Sequence, residues 1–174
     1  LDAVLITGAF KEQVEVGGRR RAFITYIAEG LHYDQRCIVL APPGGEDPLG
    51  FAEAAGFIDF ATREQVFLHI LVAEGGRWDT SGGDADYMNA VYVQVQARDS
   101  YVTMQDNIYA FGVGDGAVIA QQAAMKMASE WSGLCAIGPM SGAALAAAAD
   151  APPEGPGDIG QGELIISGSR CPLP

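Results

Sequence analysis

One stretch limits the folds open to this chain more than any other: NIYAFGVGDGAVIAQQAAM, residues 107–125. It starts as a short apolar run, passes through three glycines at alternate positions and continues as a segment rich in Ala, Gln and Met. An apolar run of strand length, a glycine turn and a helical pattern together predict a strand–turn–helix unit. Such units are typical of α/β proteins, in which the helix packs back on the sheet.

The rest of the chain repeats this alternation of strands and helices. Strands that alternate with helices predict a mostly parallel sheet with helices on both faces. The first two strands predict an antiparallel hairpin at the N-terminus, which Val14 and Val16 can lengthen. The expected strands lie at or within 4–10, 21–30, 36–45, 66–75, 107–111, 134–142 and 163–168, and the expected helices lie within 47–65, from Asp84 or Asp86 to about Arg98, and from the glycine turn to about Glu130.

Charge and cysteine usage exclude several functions. Ten basic and 22 acidic residues give a net charge of −12, whereas a nucleic-acid-binding protein needs a basic face to contact phosphates. No apolar run is long enough to span a bilayer. Cys37, Cys135 and Cys171 have no CxxC spacing, so neither a metal site nor a disulfide framework is expected. This usage favours a reduced, cytoplasmic setting, and no cofactor is predicted.

The glycine turn itself has three interpretations. Gly112, Gly114 and Gly116 have the spacing of a nucleophile elbow, G-x-S-x-G, whose strained turn lifts a serine hydroxyl above a sheet. Gly114 would then stand at the serine position without a nucleophile. A second interpretation is an ordinary glycine turn of any α/β fold. A third is a dinucleotide fingerprint, but that motif normally follows the first strand, and Ala117 occupies its last glycine position.

The order of segments resembles the α/β-hydrolase esterases of the polyhydroxybutyrate-depolymerase and feruloyl-esterase type. The resemblance rests on RRRAFITYIAEGL, CIVLAPPGG, FAEAAGFIDFATREQVFLHILVAEGGRWD, DADYMNAVY and NIYAFGVGDGAVIAQQAAM, and it extends from about Arg19 to Gly142. It implies an α/β-hydrolase-like sheet in a single domain over 1–174. Because the chain stops where the family enters the strand leading to its acid and base, it also implies that the C-terminal part of the fold is missing.

The resemblance assigns site residues by position. The turn after the third strand implies oxyanion-hole donors at the backbone of Gly44 and Gly45, and the residue after the nucleophile position implies a further donor at Asp115. Trp78 is expected near the pocket. Two departures stand out: Pro42 and Pro43 replace the family's usual HG and carry no N–H, and Gly114 replaces the serine.

Other side chains have structural interpretations that compete with catalytic ones. His69 lies in an apolar strand, where a satisfied core histidine is expected, and His32 is expected in a loop; both precede the elbow, whereas the family's acid and base follow it. Asp84 and Asp86 resemble a metal pair, but capping and solvation are the favoured interpretation. Asp115 is one residue out of register for a nucleophile.

Three functional hypotheses remain open. The first is an inactive relative of carboxylic-ester hydrolases that binds an ester-like small molecule or a partner. The second is an active carboxylesterase seen as a fragment or as a nucleophile variant. The third is a non-enzymatic interaction or scaffold domain. Missing strands would leave the sheet edge near 134–138 or 163–167 to be covered by a second copy, a partner chain or a continuation of the polypeptide.

Overall fold

The strands of the computed structural model form one seven-stranded sheet in the order β1-β2-β4-β3-β5-β6-β7. The structure describes residues 7–31, 35–97, 107–139 and the backbone of 163–166. The strands are β1 (Gly8–Val16), β2 (Arg19–Ile27), β3 (Cys37–Ala41), β4 (Phe67–Leu71), β5 (Ile108–Val113), β6 (Gly133–Ile137) and β7 (Glu163–Ile166), and the helices are α1 (Pro48–Ala54), α2 (Phe57–Glu64), α3 (Gly83–Gln96) and α4 (Gly116–Lys126).

Strand direction divides the sheet into two parts. β1, β2 and β4 pair antiparallel, whereas β4, β3, β5, β6 and β7 all pair parallel. The strand predicted at 107–111 is β5, which lies between β3 and β6 inside the sheet and is followed at once by α4. The mostly parallel sheet and the N-terminal hairpin are therefore confirmed. β6 pairs on both of its sides, so β7 rather than β6 is the outermost strand here.

The N-terminal hairpin differs from its predicted bounds. The first strand was expected at 4–10 with a charged connection, but β1 begins at Gly8 and continues to Val16, so Val14 and Val16 do lengthen the hairpin. The chain then turns through Gly17 and Gly18, both at positive φ. A two-residue turn with both residues at positive φ is favoured in hairpins because its backbone twist matches the right-handed twist of the two strands that it joins. The segment looks unlike a strand in sequence because Glu12 faces the sheet, where it accepts a hydrogen bond from Thr25 Oγ1 (2.5 Å).

Helices cover both faces, as the sequence predicts. α1 and α2 pack over one face with Ile24, Leu40, Leu68 and Ile70. α3 and α4 pack over the other face, in a core that includes Phe23, Val39 and Ala110. The helix ends differ slightly from those expected.

The predicted starting cap of α3 is wrong. Gly82 precedes the helix at its N-cap position, and Asp84 and Asp86 lie in the first turn. The α4 helix ends at Lys126 rather than near Glu130.

Candidate functional site

The turn between β5 and α4 places one residue in the left-handed region. Gly114 has φ +62°, whereas Asp115 has ordinary helical angles of −69° and −22°. Gly114 N–H donates to Ile137 O at 2.8 Å, which ties the turn to the end of β6. The residue with the left-handed backbone conformation at this turn is therefore Gly114, and not Asp115.

The two flanking glycines are required by close backbone packing. A Cβ on Gly112 would lie 2.5 Å from Gly116 O and 2.6 Å from Ala117 Cα. A Cβ on Gly116 would lie 2.2 Å from Ala41 O. These contacts allow α4 to begin directly against the end of β3, and they explain the glycines at both ends of the G-x-G-x-G pattern.

Asp115 meets the loop that follows β3. Its carboxylate accepts a hydrogen bond from the backbone N–H of Gly44 at 2.7 Å. The family resemblance implies that Gly44, Gly45 and Asp115 lie together as backbone donors, and in the structure Gly44 lies against Asp115. However, the Gly44 donor already faces a carboxylate oxygen. The Asp115 N–H lies at the start of α4, where backbone donors have no partner within the helix.

Trp78 is hydrogen-bonded to the loop that follows β3. The indole is only 8% exposed, and its Nε1–H donates to Pro42 O at 2.7 Å. The predicted pocket residue is thus a largely buried side chain that holds the loop before Gly44 in place. Both prolines lack an N–H, so this loop offers the site only the donors that follow them.

We expect Trp78→Phe to destabilise the fold by about 1–3 kcal/mol, because the buried Pro42 carbonyl would lose its donor. Urea denaturation of the variant and the wild type measures the difference. Trp131→Phe is a matched control, since Trp131 Nε1–H donates to the Asn89 side chain at 3.0 Å, away from the loop. The Gly44 amide resonance should shift in Trp78→Phe and stay unchanged in Trp131→Phe; equal shifts would contradict the anchoring role.

His69 is a core residue, as expected. It is fully buried in β4, and its Nδ1 lies 2.8 Å from Thr25 Oγ1, its cross-strand partner. Thr25 in turn contacts Glu12, so the polar atoms form a short chain across β4, β2 and β1. This chain occupies the opposite side of β3 from the β5–α4 turn. His32 lies outside the described residues.

Asp84 and Asp86 each pair with a different basic side chain. Asp84 accepts hydrogen bonds from Arg21 Nη1 (2.6 Å) and from the Asp79 N–H (2.6 Å), and Asp86 pairs with Lys126 at 2.7 Å. Within the described residues there is no group of three His, Cys, Asp or Glu side chains placed to hold a metal ion. Arg21 was not among the predicted site residues. The signal that could have identified it is a basic residue within a strand whose later residues are apolar.

Two buried groups have pKa values moved by desolvation. Burial raises the pKa of the Cys37 thiol, which keeps it neutral in β3. Burial also raises the pKa of Tyr87 to about 12, and its hydroxyl donates to Ala22 O at 2.5 Å. Both groups are held uncharged inside the core, which suits structural roles rather than nucleophilic ones.

The arrangement as a whole defines a fold class. An order of 1-2-4-3-5-6-7 with antiparallel β2, helices on both faces and a sharp glycine turn from β5 into α4 is an α/β-hydrolase fold. None of the helices within the described ranges has the length and apolarity needed to cross a membrane.

Solved structures share this fold at low sequence identity. Acetyl xylan esterase from Aspergillus awamori matches with a TM-score of 0.64 and 12% identity over 76% of this chain and 53% of that one. S-formylglutathione hydrolase from Staphylococcus aureus matches with a TM-score of 0.60 and 11% identity over 74% and 56%. Dienelactone hydrolase from Anabaena variabilis matches with a TM-score of 0.58 and 13% identity over 73% and 61%.

These matches show the fold, and the aligned part of this chain spans between about half and three fifths of each of those proteins. No protein-family model and no curated protein matches the sequence.

Proposed function

We propose that this chain is a non-catalytic relative of carboxylic-ester hydrolases, in which the β5–α4 turn binds a carbonyl compound without cleaving it. Gly114 stands at the nucleophile position of a G-x-S-x-G elbow, as the polyhydroxybutyrate-depolymerase-like segment order implies. One observation carries the proposal: the special turn residue has no side chain, while the neighbouring Asp115 carboxylate holds the Gly44 N–H at 2.7 Å.

That carboxylate opposes ester hydrolysis. An oxyanion hole stabilises the negative oxygen that develops in the transition state, and its donors must be directed at that oxygen. Here the Gly44 donor is directed at a carboxylate oxygen. A reacting carbonyl would have to displace this group, and its developing charge would lie beside another negative charge. Binding of a neutral carbonyl to the Asp115 N–H carries less of this penalty.

General-base activation is also unsupported at the turn. The chain has two histidines, and His69 is fully buried and hydrogen-bonded to Thr25 in β4. A nucleophilic hydroxyl is weak unless a base lies within hydrogen-bond reach. A serine placed at position 114 would therefore have no histidine partner from the described part of the chain, since His69 is held in β4.

We expect the wild-type chain to hydrolyse p-nitrophenyl acetate no faster than an equal concentration of an unrelated acidic protein. Gly114→Ser should give no turnover and no adduct with a fluorophosphonate, because the one histidine within the described residues lies in β4 and not at the turn, and because Pro43 crowds the new Cβ at 3.3 Å. Gly114→Ser combined with Asp115→Ala removes the competing carboxylate and should remain inactive for want of the base. Wild-type turnover that a fluorophosphonate abolishes would establish the active esterase instead.

Binding is tested separately from turnover. With ethyl butyrate as the probe, the amide resonances of Gly44 and Asp115 should shift during titration while no ethanol is released. Asp115→Ala frees the Gly44 N–H, so the Gly44 shift should become larger. If neither amide responds in either protein, the turn is structural and the scaffold hypothesis replaces this one.

A further inference from the structure

The segment that leads from β4 towards α3, residues 72–79, packs against the loop that carries Gly44. A Cβ on Gly44 would lie 3.2 Å from Gly76 O, so the two backbones meet with no side chain between them. Trp78 of the same segment donates to Pro42 O at 2.7 Å. The position of the Gly44 N–H therefore depends on where residues 76 and 78 are held.

This segment has little structure of its own to hold it in place. It contains one short 3-10 turn over Glu74–Gly76, in which Gly75 and Gly76 have positive φ. Its internal backbone hydrogen bonds, at 3.2 and 3.3 Å, both belong to this turn. Glycine has more conformational freedom to lose than any other residue, and a 3-10 turn has poor hydrogen-bond geometry. The position of the segment must therefore come from contacts with other elements.

Arg21 and Asp84 hold the two ends of this segment. Arg21 Nη1 donates to the Asp84 carboxylate at 2.6 Å, and Arg21 Nη2 donates to Val72 O at 3.3 Å. The other Asp84 oxygen accepts a hydrogen bond from the Asp79 N–H at 2.6 Å. One ion pair thus connects the first residue of the segment to its last.

The first residue of the segment is also held by Tyr87. The Val72 N–H donates to the Tyr87 hydroxyl at 3.2 Å, and the Arg21 guanidinium lies 4.1 Å from the centre of the Tyr87 ring. The aromatic face orients the cation while its N–H groups reach the carboxylate and the Val72 carbonyl. This arrangement suits the planar guanidinium, and a lysine ammonium does not reproduce it.

The contacts of the ion pair are directed at this segment rather than at the core in general. Among the described residues, every hydrogen bond that the two side chains make outside the pair ends on the backbone of 72–79, at Val72 O and at the Asp79 N–H. Arg21 also lies 3.8 Å from the carboxylate of Glu74, which belongs to the same segment. The pair therefore acts on the part of the chain that contacts Gly44.

We propose that Arg21 is a positioning residue for the β5–α4 turn. Through Asp84 it fixes segment 72–79, and that segment holds the Gly44 N–H against the Asp115 carboxylate, to which Gly44 donates at 2.7 Å. The use of this placement rests on the function proposed above, because the donor belongs to the turn that would bind a carbonyl compound. The placement itself is measured without a ligand.

The Gly44 amide resonance in two-dimensional ¹H–¹⁵N spectra reports this placement. Asp115→Ala gives the resonance of the released donor. Arg21→Lys keeps a positive charge beside Asp84 but offers no second planar N–H to Val72, so the Gly44 resonance should move towards its position in Asp115→Ala. Adding Asp115→Ala to Arg21→Lys should then shift it by less than about half as much as in the wild type, whereas independent sites would give additive shifts.

Tyr92→Phe is the matched control for a loss of stability. It removes a hydrogen bond to Glu130 O (2.9 Å) further along α3 and should leave the Gly44 resonance in place. Asp84→Asn repeats the test from the other partner of the pair. Asn retains an acceptor for the Asp79 N–H but removes the charge, so the Gly44 resonance should move in the same direction as in Arg21→Lys. If one of these two variants does not fold, the other decides alone.

An unchanged Gly44 resonance in Arg21→Lys and Asp84→Asn would overturn the proposal. So would an equal shift in Tyr92→Phe, or full additivity with Asp115→Ala. These outcomes are independent of the titration of the wild type with ethyl butyrate. Failure of that titration would overturn the proposed function and leave the positioning role of Arg21 standing.

Discussion

Replacing Arg21 by Met is expected to lower the free energy of unfolding by about 3–5 kcal/mol, since it would leave the Asp84 carboxylate buried without its cation. The Arg21 and Asp84 side chains are 10% and 5% exposed, and they meet at 2.6 Å. The guanidinium also lies 4.1 Å from the centre of the Tyr87 ring, so its removal opens space beside α3. Urea denaturation followed by circular dichroism measures the loss.

Two further variants test whether the loss of stability comes from burial of the pair or from the removal of a positive charge alone. Arg21→Met with Asp84→Leu removes both charges and should recover most of the lost stability, because neither partner is then left uncompensated. Lys126→Met breaks a pair with Asp86 of similar length, 2.7 Å, in which the Lys126 and Asp86 side chains are 43% and 60% exposed. That loss should be below about 1 kcal/mol. Equal effects of Arg21→Met and Lys126→Met would refute the argument.

The positions of strands and helices were predicted best where the local sequence pattern agrees with the environment of the segment in the fold. β5 and α4 were placed correctly because an apolar strand, a glycine turn and a helical segment follow one another without interruption. The first strand was predicted at 4–10 with Val14 and Val16 only as an extension of the hairpin, because Glu12 occupies a position that faces the sheet, where a strand pattern normally has an apolar residue. Its partner Thr25 lies on the next strand, and a local pattern cannot reveal that contact.

The contacts that define the site are long-range, and local patterns contain no trace of them. Asp115 and Gly44 are 71 residues apart, so the resemblance brought the two loops together without indicating that the carboxylate would face the Gly44 donor. Arg21 and Asp84 are 63 residues apart. Because an aspartate at the start of a helix is commonly a cap, the sequence favoured capping over an ion pair for Asp84. Which face of the sheet each helix covers likewise depends on the strand order, which no local pattern contains.

Close approach at the β5–α4 turn leads to the second large effect. Gly116→Ala should destabilise the fold by about 3 kcal/mol or more, at the upper end of overpacking costs. The added Cβ would lie 2.2 Å from Ala41 O and 2.6 Å from Pro42 O, which are backbone atoms at the end of β3 and at the start of the loop that precedes Gly44. Neither can rotate away, so α4 or the loop must shift.

The same substitution at other glycines should give a graded series when measured by thermal and urea unfolding. Gly114→Ala adds a Cβ 3.3 Å from Pro43 Cβ at φ +62°, which costs about 1–3 kcal/mol of strain. Gly83→Ala approaches only the exposed Asp79 side chain, which can move, and should stay within about 0.5 kcal/mol of the wild type. The expected order of loss is Gly116, then Gly114, then Gly83. A Gly116→Ala protein as stable as Gly83→Ala would show that α4 does not dock against the β3 loop as described, and the contact between Asp115 and Gly44 would lose its structural basis.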